Sequence, residues 1–195
     1  MSSPSFHPRE KDASDGADAN FVATPPTTFA LNPFQAIGEE WYLITAGTPD
    51  RFNTMTASWG AMGVLWNKPI LICFVRPSRH TFGFMERSER FTASFFEPSW
   101  RPVLNFCGTH SGRDIDKIAH TGLRPFTTAA GGIAFEQARL ILTCARIYEQ
   151  DLDAQRLPES VVAACYPRGD VHRFFIGEIV ECLVRSTPGA TPASR

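Results

Sequence analysis

Arg76-Pro77-Ser78-Arg79-His80-Thr81 places two guanidinium forks, two hydroxyls and an imidazole within six residues. Guanidinium planes match phosphate oxygens, and hydroxyls complete such a site. Alone, an Arg-x-x-Arg is more often a solvated basic turn. The residues after it sharpen the reading. Phe82, Met85 and Glu86 recur at helical spacing up to Arg90, and a helix beginning there aims its free N–H groups and dipole at an anion.

A second polar group runs Cys107-Gly108-Thr109-His110-Ser111-Gly112-Arg113-Asp114. Ser111, His110 and Asp114 have the residue types of a hydrolytic triad. Neighbours on one loop rarely reach nucleophile–base geometry, and no Gly-x-Ser-x-Gly is present. Hydrolysis is therefore set aside. Cys107-x-x-His110 has a spacing that suits two metal ligands, but no second pair completes a site, so no metal is expected. Cys73, Cys144 and Cys182 lie in apolar runs and read as buried thiols acting as small hydrophobes.

These groups need elements to position them. Thr54-Met55-Thr56-Ala57-Ser58-Trp59 alternates small polar and apolar residues, as a strand with one solvated face does. Ile70 to Val75 is a continuous apolar run, as in a strand buried on both faces, joined to the first by a turn containing Pro69. A strand of small residues can bring its backbone close to a flat ligand. Further strands are expected at Trp41–Thr45, Phe91–Phe96, Ala134–Tyr148 and His172–Val184. Helices are expected after Thr81, at Val103–Cys107, at Ile115–Ala119 with Asp114 as cap, and at Pro158–Tyr166. Many strands with helices inserted irregularly point to a mostly-β closed or split barrel with peripheral helices. No Gly-x-Gly-x-x-Gly follows a strand, so a dinucleotide-binding Rossmann domain is not supported.

The chain has 195 residues and a formal net charge of −1. It is long enough for one core, and it has no basic field for nucleic acid. Apolar runs are too short for a membrane span and the start lacks a signal-peptide pattern, so a cytoplasmic protein is expected. Residues 1–30 are rich in Ser, Pro, Asp and Ala and read as a disordered tail. Residues 31–186 form the domain, and 187–195 a second tail.

From about Asn53 to Val184 the chain resembles the flavin-reductase-like family of FMN-binding split barrels, in particular its flavoredoxin branch. The resemblance implies a mostly-β FMN-binding split β-barrel with peripheral helices. It places Arg76, Ser78, Arg79 and Thr81, within Arg-Pro-x-Arg-x-Thr, at the FMN phosphate. His80 stands where the family has a tyrosine. The strand Asn53, Thr54, Met55, Thr56, Ala57, Ser58 and Trp59 would run beside the isoalloxazine. The Cys-Gly-Thr-His-Ser-Gly-Arg-Asp signature implies flavin contacts from Thr109, His110, Ser111, Gly112 and Arg113, with Lys117 beyond it. Gly169-Asp170-Val171-His172 resembles the family's Gly-Asp-His, whose histidine lies near a nicotinamide. The intervening Val171 leaves open whether His172 contacts NAD(P)H or caps a strand entry.

The resemblance thus implies an NAD(P)H:flavin oxidoreductase, with FMN supplying the chemistry and the protein its orientation and tuning. It further implies a homodimer and a redox partner or monooxygenase component as electron acceptor. The alternatives are a flavoredoxin-type carrier without direct NAD(P)H use, a non-catalytic flavin-binding module, and a flavin enzyme acting on a specific metabolite.

Overall fold

A computed structural model describes residues 20–186. The expected C-terminal tail lies outside the described residues, as do residues 1–19 of the N-terminal one.

Among the described residues the chain forms β1 (Phe21–Ala23), a π-helical segment (Phe34–Glu40), β2 (Tyr42–Thr48), β3 (Arg51–Ala57), β4 (Gly60–Leu65) and β5 (Lys68–Val75). Helix α1 (His80–Arg87), β6 (Arg90–Phe95), α2 (Arg101–Thr109) and α3 (Lys117–Thr121) follow. The remainder is β7 (Pro125–Thr127), β8 (Ile133–Phe135), β9 (Leu140–Asp151), α4 (Glu159–Cys165) and β10 (Arg173–Arg185).

One antiparallel sheet runs in the order β3-β2-β6-β9-β10-β5-β4, with β1 on the C-terminal half of β10. It curls around a core to which its strands contribute alternate side chains, among them Tyr42, Ile44, Met55, Leu71, Cys73, Phe95, Leu142 and Phe175. Register shifts in β10 after Ile176 and Ile179 let this long strand bend around that core. At Gly177 the packing leaves no room for a side chain: a Cβ there would stand 2.6 Å from the Phe91 ring. A second apolar layer, including Leu43, Leu104, Cys107, Phe135 and Ile141, fixes α2 against the outside of the sheet. The two end strands, β3 and β4, are neighbours in sequence joined through Ser58-Trp59, and β3 approaches β5 across the seam. The split in the barrel therefore lies where the small-residue strand ends.

The expected elements are present with shifted bounds, and several expectations need correction. The stretch from Arg51 to Val75 holds three strands, not two: Gly60–Leu65 was not foreseen. Its turn is Trp66-Asn67, both at positive φ (51° and 59°), and Pro69 sits inside β5 opposite Val64. Such a two-residue turn needs two left-handed residues, and Trp-Asn is not the usual pairing for it. Nor does β3 have a solvated face throughout, because Asn53, Thr54 and Met55 are all buried. The strand expected at Ala134–Tyr148 is divided into β8 and β9. The cap of α3 is Asp116, whose Oδ1 accepts from the N–H groups of Ile118 and Ala119. Phe21 to Ala23, placed in the tail from composition, pair with β10, and Phe21 is buried. The fold thus extends N-terminal of residue 31.

Candidate functional site

Along the seam lies a cleft of about 960 Å³. One wall is the end of β3, Met55 to Trp59; the opposite wall is Phe74, Arg76, Ser78 and Arg79; the segment from Ala164 to His172 closes the third side. Phe74 and Arg76 project together because alternate strand residues share a face. The chain then leaves β5 and begins α1 directly, with Arg79 as the residue before the first turn. Two cations, a hydroxyl and a helix start therefore face one cleft, the combination that holds an anion.

Each charged group has its neighbours. Arg76 donates to the carbonyls of Asp170 and Cys165, both at 2.9 Å, and its guanidinium lies 5.1 Å above the Tyr166 ring. It clamps the 165–170 segment across the seam while still lining the cleft. Ser78 donates to the Asp170 carboxylate. Arg79 reaches the Gly108 carbonyl at 2.5 Å. Burial lowers its pKa and the adjacent Arg76 adds to that, with Asp170 acting in the opposite sense. These two cations line the cleft beside a single carboxylate, that of Asp170, so the lining carries an excess of positive charge for a ligand.

His172 is 8% exposed, and its Nδ1 is 2.9 Å from the Tyr166 hydroxyl. The Trp59 ring stands 5.0 Å away. Burial, reinforced by Arg76, lowers its pKa from 6.5 to about 4. The imidazole is neutral at pH 7 and presents one donor and one acceptor nitrogen. Between pH 6.5 and 4 the unfolded chain binds a proton here that the native chain refuses, so stability falls as pH falls through this window. The loss is about 3 kcal/mol at roughly 1.4 kcal/mol per pH unit. Urea unfolding of the wild type and His172→Gln across that window checks it: the variant should lose this slope. Parallel curves would show an ordinary histidine.

Of the residues singled out from sequence, Met55, Thr56, Ala57, Ser58, Trp59, Arg76, Ser78, Arg79 and His172 meet at this cleft. The others stand elsewhere. Asn53 is buried and donates to Thr81 Oγ1 at 2.7 Å, which turns both inward beneath α1. Thr54 accepts from Thr45 and donates to the Ile44 carbonyl inside the barrel. Lys117, 5% exposed, donates to the carbonyls of Thr54 (2.9 Å) and Cys107 (2.7 Å). Gly112 packs on Asn53 so closely that a Cβ would lie 2.0 Å from its Oδ1. Asn53, Thr54, Gly112, Arg113 and Lys117 line a separate cleft of about 550 Å³. Arg113 also reaches back to the Ser78 carbonyl at 3.3 Å.

Thr109 and His110 lie at and just past the end of α2 rather than on a free loop. Thr109 donates to the Asn105 carbonyl, and His110 stacks on Phe106 at 4.1 Å. Ser111 accepts from the Arg113 N–H in the following turn. Neither Thr109, His110 nor Ser111 lines the main cleft.

Sequence reasoning missed Phe74, Asp170, Tyr166 and Arg168. A signal existed for two of them. Phe74 precedes Arg76 by two on one strand, and Asp170 belongs to the motif from which only His172 was taken. Among the described residues no three His, Cys, Asp or Glu side chains gather as metal ligands, and no helix is long and apolar enough to cross a membrane.

A curled antiparallel sheet split at β3, with an arginine-containing turn on the seam, defines a split-barrel domain. The chain belongs to the family of flavin reductase like domains, whose model matches residues 34–193. A comparison with curated proteins finds no match. Among solved structures, the fold is similar to an FMN-binding protein from Thermus thermophilus with bound 1-cyclohex-2-enone (22% identity, TM-score 0.59, covering 79% of this chain and 77% of that one). It is also similar to a flavoredoxin from Methanosarcina acetivorans (22%, TM-score 0.57, 73% and 67%). A Shewanella frigidimarina protein with a split barrel domain superimposes with TM-score 0.61 at 18% identity, over 87% of this chain and 81% of that one.

Proposed function

We propose that this protein binds FMN in the seam cleft and acts as an NAD(P)H:flavin oxidoreductase. The observation that carries the reading is one convergence. Arg76, Ser78 and Arg79 face the small-residue end of β3 across a space of about 960 Å³, in a chain of the flavin reductase like family. The donor set fits the group: guanidinium, hydroxyl and helix start suit a phosphate, and Met55 to Ser58 admit a flat ring system against backbone. Bound there, FMN would supply the hydride chemistry. The protein's own share is to hold the phosphate with Arg79 and Ser78 and to flank the ring with Trp59. It would also keep a neutral His172 at the edge of the cleft.

In this reading Asp170 occupies part of the anion turn, and a phosphate arriving at Ser78 and Arg79 competes with its carboxylate. The assembly we propose is a homodimer. β4 ends the sheet, and Val64 and Trp66 on its hairpin are 71% and 64% exposed, so a second copy has an apolar edge to cover.

The test is the visible spectrum of the purified protein supplemented with FMN, followed by anaerobic NADH and then NADPH. A flavin band that bleaches within seconds of either nucleotide is the expected result. A band bleached only by dithionite would replace the reductase reading with the flavoredoxin-type carrier. Failure to retain FMN at all would overturn the cofactor.

A further inference from the structure

Asp170 supplies the one carboxylate in the lining of the main cleft, and it stands on the arginine turn itself. A hydroxyl has a single proton to donate, and Ser78 gives its proton to that carboxylate. The neighbouring arginines have also committed part of their forks: Arg76 to the carbonyls of Cys165 and Asp170, Arg79 to that of Gly108. The charge of Asp170 acts on Arg79 and on His172 as well, favouring the protonated form of each. An anion entering this turn therefore meets donors that already serve an anion of the chain.

The carboxylate can give way without the backbone moving. Arg76 holds the Asp170 carbonyl at 2.9 Å, and the residues on either side are tied into the same turn. The Gly169 N–H donates to the Tyr166 carbonyl and the Val171 N–H to the Gly169 carbonyl, both at 2.9 Å. Beyond this fixed backbone the Asp170 side chain is partly exposed and rotates about two bonds. Swinging it into water breaks one hydrogen bond and leaves the Arg76 clamp intact. A displaceable group needs that combination of fixed backbone and free side chain.

We propose that Asp170 is an internal competitor for the flavin phosphate: its carboxylate and the phosphate of FMN share the Ser78 hydroxyl and the charge of Arg79, and only one holds them at a time. The inference rests on the FMN reading of this cleft and deepens it. The phosphate prevails because it carries about −1.5 to −2 charges at pH 7 and three acceptor oxygens, against one charge on the carboxylate. Its margin is reduced, since the bond it gains from Ser78 replaces one that Asp170 had. Riboflavin, the same ring system without the phosphate, leaves the Ser78–Asp170 pair undisturbed. Asp170 thus loosens FMN and lowers the preference for FMN over riboflavin below what the cations alone would give.

The experiment is a double-mutant cycle of Asp170→Asn and Ser78→Ala in the full-length protein, reading FMN and riboflavin dissociation constants by flavin fluorescence quenching. Asp170→Asn keeps the shape and turns a charge-assisted hydrogen bond into a neutral one. It should tighten FMN roughly tenfold and leave riboflavin unchanged. Ser78→Ala should weaken FMN less than about threefold in the wild type, where the hydroxyl only changes partners. In the Asp170→Asn background, where the phosphate has that hydroxyl to itself, the same change should cost roughly tenfold. Asp170→Ala, a second variant with no acceptor at all, should tighten FMN at least as much, and thermal unfolding checks that each variant is folded. FMN binding no tighter in both Asp170 variants, or riboflavin tightening equally, overturns the proposal. So does a gain from Asp170→Asn that persists undiminished in Ser78→Ala, since charge repulsion alone would then explain it. Wild-type protein that binds neither flavin overturns the FMN reading together with this inference; the other failures leave that reading standing and remove the competitor alone.

Discussion

Replacing Arg79 with alanine is expected to weaken FMN binding by about one to two orders of magnitude. A charge-assisted hydrogen bond contributes roughly 1.5–3 kcal/mol, which is that range in affinity. The direction follows from the surroundings. Arg79 is half-buried and its pKa is lowered by burial and by Arg76, so its charge is incompletely balanced until an anion arrives. Removing it also frees the Gly108 carbonyl, which lies at the edge of α2 where water can replace the lost donor. Thermal unfolding should therefore change little while flavin retention falls. Fluorescence-quenching titration measures the effect. An unchanged dissociation constant would remove Arg79 from the phosphate site, whatever the activity does.

The second large effect belongs to Lys117, and here stability rather than affinity responds. Its ammonium bridges the Thr54 carbonyl in β3 and the Cys107 carbonyl in α2, so one side chain sets the distance between the cleft wall and the second apolar layer. Lys117→Met keeps the stem and deletes the donors, leaving two buried carbonyls short of a partner. Each costs about 1–3 kcal/mol, partly offset because a buried charge disappears with them. A net loss of roughly 2–4 kcal/mol in urea unfolding at pH 7 is expected.

The pH dependence separates this from a simple packing defect. Burial lowers the lysine's pKa from 10.5 to about 8, with Arg79 contributing in the same sense. Above pH 8 the native chain releases a proton that the unfolded chain holds until about 10.5, so native stability gains as pH rises across that window. The stability gap between wild type and Lys117→Met should accordingly widen from pH 8 to pH 10, by about 1.4 kcal/mol per unit at most. A gap independent of pH would show that the ammonium is not desolvated as the structure places it.

Both arguments recast residues that the family resemblance groups together as cofactor contacts. Arg79 faces the cleft, whereas Lys117, Asn53 and Thr81 form the layer beneath it. Their hydrogen bonds hold β3, α1 and α2 at fixed spacing and so set the shape of the cleft. The same holds for Gly112, which must lack a side chain because Asn53 fills that space.

What the amino-acid sequence determined by itself is local. The Arg-Pro-Ser-Arg turn, the helix after it, the alternating small-residue strand and the strand pattern of a β-barrel all depend on neighbours within about ten residues. Periodicity and capping chemistry report such neighbours directly. Even there the signal failed where it was weak, as at the Trp66-Asn67 turn and at Phe21–Ala23, a three-residue strand stabilised by β10 rather than by its own propensity.

The site is not local. Its third wall comes from residues 164–172, about ninety positions after the arginine turn, and β10 reaches that place only by pairing with β5. That pairing brings Cys165 and Asp170 to Arg76, and so commits part of its guanidinium to backbone carbonyls. Likewise, Thr109 and His110 carry polar groups that the family resemblance assigns to the flavin. Because α2 extends through Thr109, the helix supplies their partners instead: the Asn105 carbonyl for one, the Phe106 ring for the other. Residue types disclose which groups can bind an anion. Only the closure of the sheet decides which of them are left facing the cleft, because it fixes the strand ends and loops from which each side chain projects.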